Sequence, residues 1–116
     1  MSQYNHTKQV GGDWVWQLSA PVIDGVAEDM SAEGYAEALV ITDSDNSTTA
    51  AFTVNQTATA NGSVIAVAAG GASGTLTVKK EDLVALGPGE YSYYDAFTAS
   101  DGVDRVRLYG TVTLEA

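Results

Sequence analysis

Few side chains in this sequence combine a type and a spacing that could do chemistry. The single histidine, His6, lies in a polar stretch, and a Ser-His-acid relay or a His-metal site would have to be assembled around it. Cysteine is absent, which removes thiol nucleophiles, thiolate zinc sites and disulfides together. Among the carboxylates Asp95 stands out, because it follows Tyr93 and Tyr94 in a strand-like run. Two carboxylates could hydrolyse a glycosidic bond, but spacing alone brings no second one to Asp95. If Tyr91 and Tyr93 face inward, Asp95 shares their buried face. It must then pair with Arg105 or Arg107 on the following strand, or lie at the end of the sheet. Asp43-Ser44-Asp45-Asn46-Ser47 sets oxygen side chains alternately, as a calcium loop does. Its sixth position is Thr48 where glycine is needed, and its twelfth is Val54 where a carboxylate belongs, so a polar turn is the better account. Gly70-Gly71-x-x-Gly74 lacks the spacing and the following helix of a phosphate cradle. The residues therefore predict no enzymatic activity, no metal and no cofactor.

The elements that position these groups read as strands. From Asp13 to Leu18 the residues Trp14, Trp16 and Leu18 share one face, the period-two pattern of a half-buried strand. Tyr35 to Thr42 places Tyr35, Leu39 and Ile41 on one face and small apolar residues on the other. Ala51 to Gln56, Ser63 to Ala68 and Thr75 to Lys79 are shorter runs of the same kind. Ala69 to Gly74 between the last two is glycine-rich and reads as a loop tip, and Lys80 to Leu86, with Leu83 and Leu86 on one side, is the one helical turn. Tyr91 to Thr98 and Val103 to Leu114 flank Ala99-Ser100-Asp101-Gly102, a hairpin signal because Asp and Gly tolerate positive φ. Aromatic rings invite a sugar-stacking reading, yet the period-two placement of Trp14 and Trp16 puts both in the core and leaves Tyr94 as the exposed ring.

Length and charge narrow the class. The chain has 116 residues, 15 acidic against 5 basic, for a net charge of −10. That is the size of one domain. Its charge disfavours nucleic acid and anionic lipid, where affinity comes from Lys and Arg on phosphates. No run approaches the roughly 20 apolar residues of a membrane helix, and Met1 to Gly12 shows no signal or transit pattern. Asn-x-Ser/Thr triplets begin at Asn5, Asn46, Asn55 and Asn61, in a sequence rich in these residues and without a secretion signal. The expected organisation is a flexible arm over residues 1–12 and one domain over 13–116.

Short strands separated by turns predict an all-β fold, an antiparallel Greek-key sandwich. Leu86-Gly87-Pro88-Gly89-Glu90-Tyr91 has the spacing of a tyrosine corner: Pro88 and Gly89 take the chain from one sheet to the other, and the Tyr91 hydroxyl bonds to backbone a few residues upstream. An ordinary Pro-Gly turn is the alternative.

The ordered set Gly12-Asp13-Trp14-Val15-Trp16, Ala36-x-Ala38-x-x-Ile41, Gly74-Thr75-Leu76-Thr77-Val78, Leu83-x-x-Leu86, Pro88-Gly89-Glu90-Tyr91-x-Tyr93 and Arg105-Val106-Arg107-Leu108-Tyr109-Gly110-Thr111-Val112 resembles small phage and prophage β-sandwich proteins similar to the N-terminal domain of the phage baseplate upper protein. The chain departs from that pattern in its Ala- and Gly-rich stretch from Asn55 to Gly74 and in Gly87 before Pro88. The resemblance implies an Ig-like or jelly-roll-like virion structural protein without enzymatic activity. A capsid decoration or cement protein on the major capsid protein is the first expectation, a tail or baseplate module the second, and a carbohydrate-binding module a third. A homo-oligomer, dimer or trimer, suits particle axes. The residues expected to take part in docking are His6 and Lys8 in the arm, Gly70 and Gly71 at the loop tip, and Tyr94.

Overall fold

The structure is a computed structural model and describes residues 2–43 and 50–116. Its elements in chain order begin with two short strands, β1 (Ser2–Gln3) and β2 (His6–Gln9), then β3 (Trp14–Ser19) and a small hairpin of β4 (Val22–Ile23) and β5 (Val26–Ala27). There follow β6 (Ala36–Asp43), β7 (Ala50–Asn55), β8 (Val64–Val67), β9 (Ser73–Val78), α1 (Lys80–Leu86), β10 (Gly89–Thr98) and β11 (Asp104–Glu115). The stretch Asp43 to Ser47, weighed above as a calcium loop, lies beyond Asp43 outside the described residues, as does Asn46.

Alternating burial shapes two layers. The larger sheet runs β1-β11-β10-β6-β7, with β2 also on β11, and the smaller runs β3-β9-β8. Inward residues of both sheets, among them Trp14, Leu18, Leu39, Ile41, Leu76, Tyr93 and Val112, meet in one core. Each such side chain contributes roughly 1.5–3 kcal/mol by leaving water. The fold is an all-β sandwich. A second, smaller cluster of Met30, Tyr35, Phe97 and Ala99 closes one end. The chain passes from the smaller sheet to the larger through α1, and Tyr91 Oη donates to the Leu86 carbonyl at 2.7 Å and to the Gly87 carbonyl at 3.0 Å at the entry to β10.

The N-terminal segment departs from its expected place. Instead of extending as a free arm, β1 and β2 pair in parallel with β11, Ser2 opposite Leu108 and His6 opposite Val112. The layers are therefore not wholly antiparallel. A polar strand can do this because its partner supplies the hydrogen bonds, and because β11 has room for it. The Tyr4 carbonyl lies where a Cβ on Gly110 would come within 1.9 Å, so only glycine admits the segment. Tyr93 Oη then donates to that carbonyl at 2.6 Å, and the Thr111 amide donates to the Asn5 side chain at 3.1 Å.

Candidate functional site

The groups most capable of chemistry converge at the end of the sandwich near Ser19. Asp95 of β10 and Glu37 of β6 both sit on inward-facing positions, and their side chains are wholly inaccessible. Arg107 reaches them because β11 carries a bulge: Asp95 pairs with Leu108 and Ala96 with Val106, so Arg107 is the extra residue between them. A bulge re-aims a side chain in this way while keeping the rest of the register. Arg107 Nε donates to Asp95 Oδ2 at 2.8 Å and Nη2 to Glu37 Oε2 at 2.6 Å. Its Nη1 donates to the Ser19 carbonyl at the end of β3, which ties the smaller sheet to the larger. Tyr35 Oη donates to Glu37 Oε1 at 2.6 Å.

One guanidinium faces two carboxylates, so the cluster cannot hold both of them ionised cheaply. Burial first, and then the hydrogen bond and charge of Glu37, push Asp95 up to about 8 against the pull of Arg107. Asp95 Oδ1 has no hydrogen-bond partner as an acceptor. A proton on Asp95 turns that orphan into a donor and leaves one negative charge, on Glu37, for Arg107. Burial and Glu37 together also raise Tyr35 above its ordinary value, so it stays a hydroxyl donor. The second carboxylate that spacing could not place is thus Glu37. Both acids are sealed from solvent within the larger sheet, and Arg107, which holds them, carries the link to Ser19 of the smaller one.

A second buried acid lies at the start of α1. Asp82 accepts hydrogen bonds from Thr59 Oγ1 at 2.9 Å, Asn61 Nδ2 at 2.8 Å and Ser63 Oγ. Burial pushes it up, yet the three donors outweigh that and hold it below the usual carboxylate range. Ser63 Oγ in turn accepts the Lys79 amide at 2.8 Å, so the connection between β7 and β8 is fastened to the helix.

The expected docking residues are dispersed. His6 is not a solvated arm residue: its ring centroid lies 4.5 Å from that of Trp16 and 5.1 Å from that of Trp14. Burial foremost, then the charge of Lys8, lower its pKa and keep the imidazole neutral. Lys8 is half-buried on the same strand. Gly71 is buried as well. A Cβ there would fall 1.8 Å from Asp29 Oδ1, and its carbonyl accepts the Met30 amide at 2.9 Å, so the loop tip is packed against residues 29–31. Gly70 beside it is exposed. Tyr94 is exposed on the outer face of the larger sheet, where β11 sets Tyr109 directly opposite. Leu86, Gly87 and Tyr91 meet at the corner described above, with Pro88 and Gly89 exposed at the crossing.

An exposed apolar end escaped the sequence reading. Val22 and Val26 of the β4–β5 hairpin are 64% and 70% exposed, and Val103 at the tip of the β10–β11 hairpin is exposed too. The two tips are linked by Ser100 Oγ donating to Glu28. A shallow concavity of about 320 Å3 opens there between Pro21, Val22, Ile23 and Arg105. Arg105 is bridged to Asp101 at 2.9 Å, with Glu28 and Asp24 near enough to act on its charge. No heptad or alternation marks a two-residue strand, so only the three-dimensional proximity of the tips shows this surface.

Among the described residues no three His, Asp or Glu side chains are grouped to hold a metal ion, and no helix is long and apolar enough to cross a membrane. Neither a family model nor a curated protein matches the chain.

Proposed function

We propose that the protein is a non-enzymatic structural protein of a bacteriophage particle, a capsid decoration or cement subunit that docks on another virion protein. The observation that carries this reading is the hairpin end, where exposed Val22, Val26 and Val103 sit among Asp24, Glu28 and Asp101. Val22 and Val26 stand on opposite faces of the β4–β5 ribbon, so a partner that grips the hairpin from both sides and sets Lys or Arg against Asp24, Glu28 and Asp101 fits this end. The strand order that resembles phage sandwich proteins supports the same reading. So does the net charge of −10, which keeps many copies apart in solution before assembly.

Cryo-electron microscopy of the source particle is the test, combined with rebinding of purified protein to particles stripped of it. Density for this sandwich on capsid axes, hairpin end inward, is the expected result. Density on the tail or baseplate moves the protein to that site. Absence from the particle overturns the reading, as does unimpaired rebinding of the doubly substituted Val22→Asp, Val26→Asp protein.

A further inference from the structure

The outer face of the larger sheet is ordered in rows that run across its strands. One row is Tyr109, Tyr94 and Val40, aligned by the pairing of β11, β10 and β6. Both rings are well exposed, at 40% and 39%. Two residues further along, roughly 7 Å away, the row consists of exposed Val106 on β11, then Ala96 and Ala38, with Asn55 beside them on β7, so the step down lies over β10 and β6. The next holds Asp104, Thr98 and Ala36. Alanines following tyrosines produce a step. It forms an open trough of about 310 Å3, floored by Ala36, Ala38 and Ala96 and edged by Asn55, Thr98 and Asp104.

The chemistry of this step selects its ligand. Flat rings offer an apolar stacking surface. The edge offers a carboxamide and a carboxylate, the latter fixed by the Thr98 hydroxyl, which donates to Asp104 Oδ1 at 2.6 Å. No cation lines the trough, and a chain of charge −10 repels anions. A ligand that is apolar on one face, rich in hydroxyls at its rim and uncharged satisfies all three conditions. We propose that the ridge and trough bind a neutral oligosaccharide, with one pyranose ring stacked on Tyr94, Tyr109 extending the platform, and hydroxyls of the neighbouring sugar units bonded to Asn55 and to Asp104, which stand roughly 15 Å apart across the sheet. Asp104 at the edge of the trough adjoins Val103 of the hairpin tip, whereas Tyr94, Tyr109 and Asn55 lie away from it along the sheet, so variants at Tyr94 and Asn55 separate saccharide binding from particle docking.

The experiment is a titration of 15N-labelled protein with a panel of neutral oligosaccharides built from glucose, galactose, xylose and N-acetylglucosamine, with an acidic uronate oligomer as control. At least one neutral oligosaccharide should shift amides of residues 36–40, 94–98 and 104–109 and leave those of α1 unmoved. Tyr94→Ala should weaken that binding about tenfold or more, and Ala96→Leu, which fills the trough while keeping both rings, should weaken it as well. Val84→Ala on the exposed side of α1 should have no effect. The proposal fails if no neutral sugar moves these amides, if both trough variants bind as the parent does, or if the uronate binds equally well. It also fails if the same amides shift with protein concentration alone, because the face would then be covered by a second copy.

Discussion

Asp82 and Asp95 are aspartates with 7% and 0% exposure, and their surroundings drive them to opposite charge states. Asp82 is ringed by neutral donors, two hydroxyls and a carboxamide, each giving a hydrogen bond to an ionised oxygen. Asp95 has one donor, Arg107, which it shares with Glu37, and one oxygen that accepts nothing. Both are shielded from solvent, but Asp95 lies much deeper and burial is the largest cause of its shift, whereas at Asp82 three donors outweigh a shallower burial. Depth, and the number of donors set against the number of competing carboxylates, decide together. The contrast extends to their work in the fold. Asp82 fastens a nearby loop to a helix, while Asp95 belongs to the cluster that joins two sheets.

The pH dependence of stability tests this contrast most severely. The folded state holds the Asp95 proton up to about 8, whereas an unfolded aspartate releases it near its ordinary value of 3.8. Between those limits the unfolded chain binds fewer protons, so the stabilisation is full below the window, falls as pH rises through it, and is gone above it. The slope is up to about 1.4 kcal/mol per pH unit. Asp95→Asn mimics the protonated acid, donating to Glu37 and accepting from Arg107. Its unfolding free energy in denaturant should lack that slope, and the variant should overtake the parent at alkaline pH. Asp82→Asn should differ in the opposite sense: because the folded pKa is lowered, the parent's advantage is present above the ordinary carboxylate range and disappears as pH falls below it. Parallel profiles for the two variants would remove the distinction drawn here.

Charge deletion ranks next. Arg107→Met leaves Glu37 with no counter-charge in a sealed site, and the loss should be about 3–5 kcal/mol in chemical denaturation. Adding Glu37→Gln should recover part of it, which a double-mutant cycle measures as coupling. Asp82→Ala strands neutral donors instead of a charge, so about 1–3 kcal/mol is expected. If Asp82→Ala proved the costlier of the two, the helix anchor and not the charged cluster would be the principal brace.

Much of the larger sheet could be read from the sequence because local alternation encodes it. The β10–β11 hairpin, the Lys80–Leu86 helix and the central strand β6 each follow from patterns within a dozen residues. Asp95 and its candidate partners Arg105 and Arg107 are legible because hairpin neighbours are close in sequence. Glu37 was hidden in an apolar run, where nothing local tells a buried Glu from one at a strand end. The bulge at Arg107 has no sequence signature here either. The parallel docking of residues 2–9 on β11 was missed for a related reason: a polar strand has weak alternation, and its partner lies about a hundred residues away. Nothing local to Gly110 marks why it must be glycine, because the cause, the Tyr4 carbonyl, comes from the other end of the chain.

The corner at Tyr91 gives the smallest effect and sets the lower end of the comparison. Its hydroxyl donates to the Leu86 and Gly87 carbonyls, neutral acceptors in a half-exposed part of the chain. Tyr91→Phe removes the donor, but water can reach the carbonyls that are left, so no group is stranded as Glu37 would be. A loss of about 0.5–1.5 kcal/mol in thermal unfolding is therefore expected, with no change in pH dependence, since no charge is involved. A loss as large as that of Arg107→Met would mean that the crossing between sheets is held by this one hydroxyl. The charged cluster at the other end would then be a consequence of sheet pairing and not its brace.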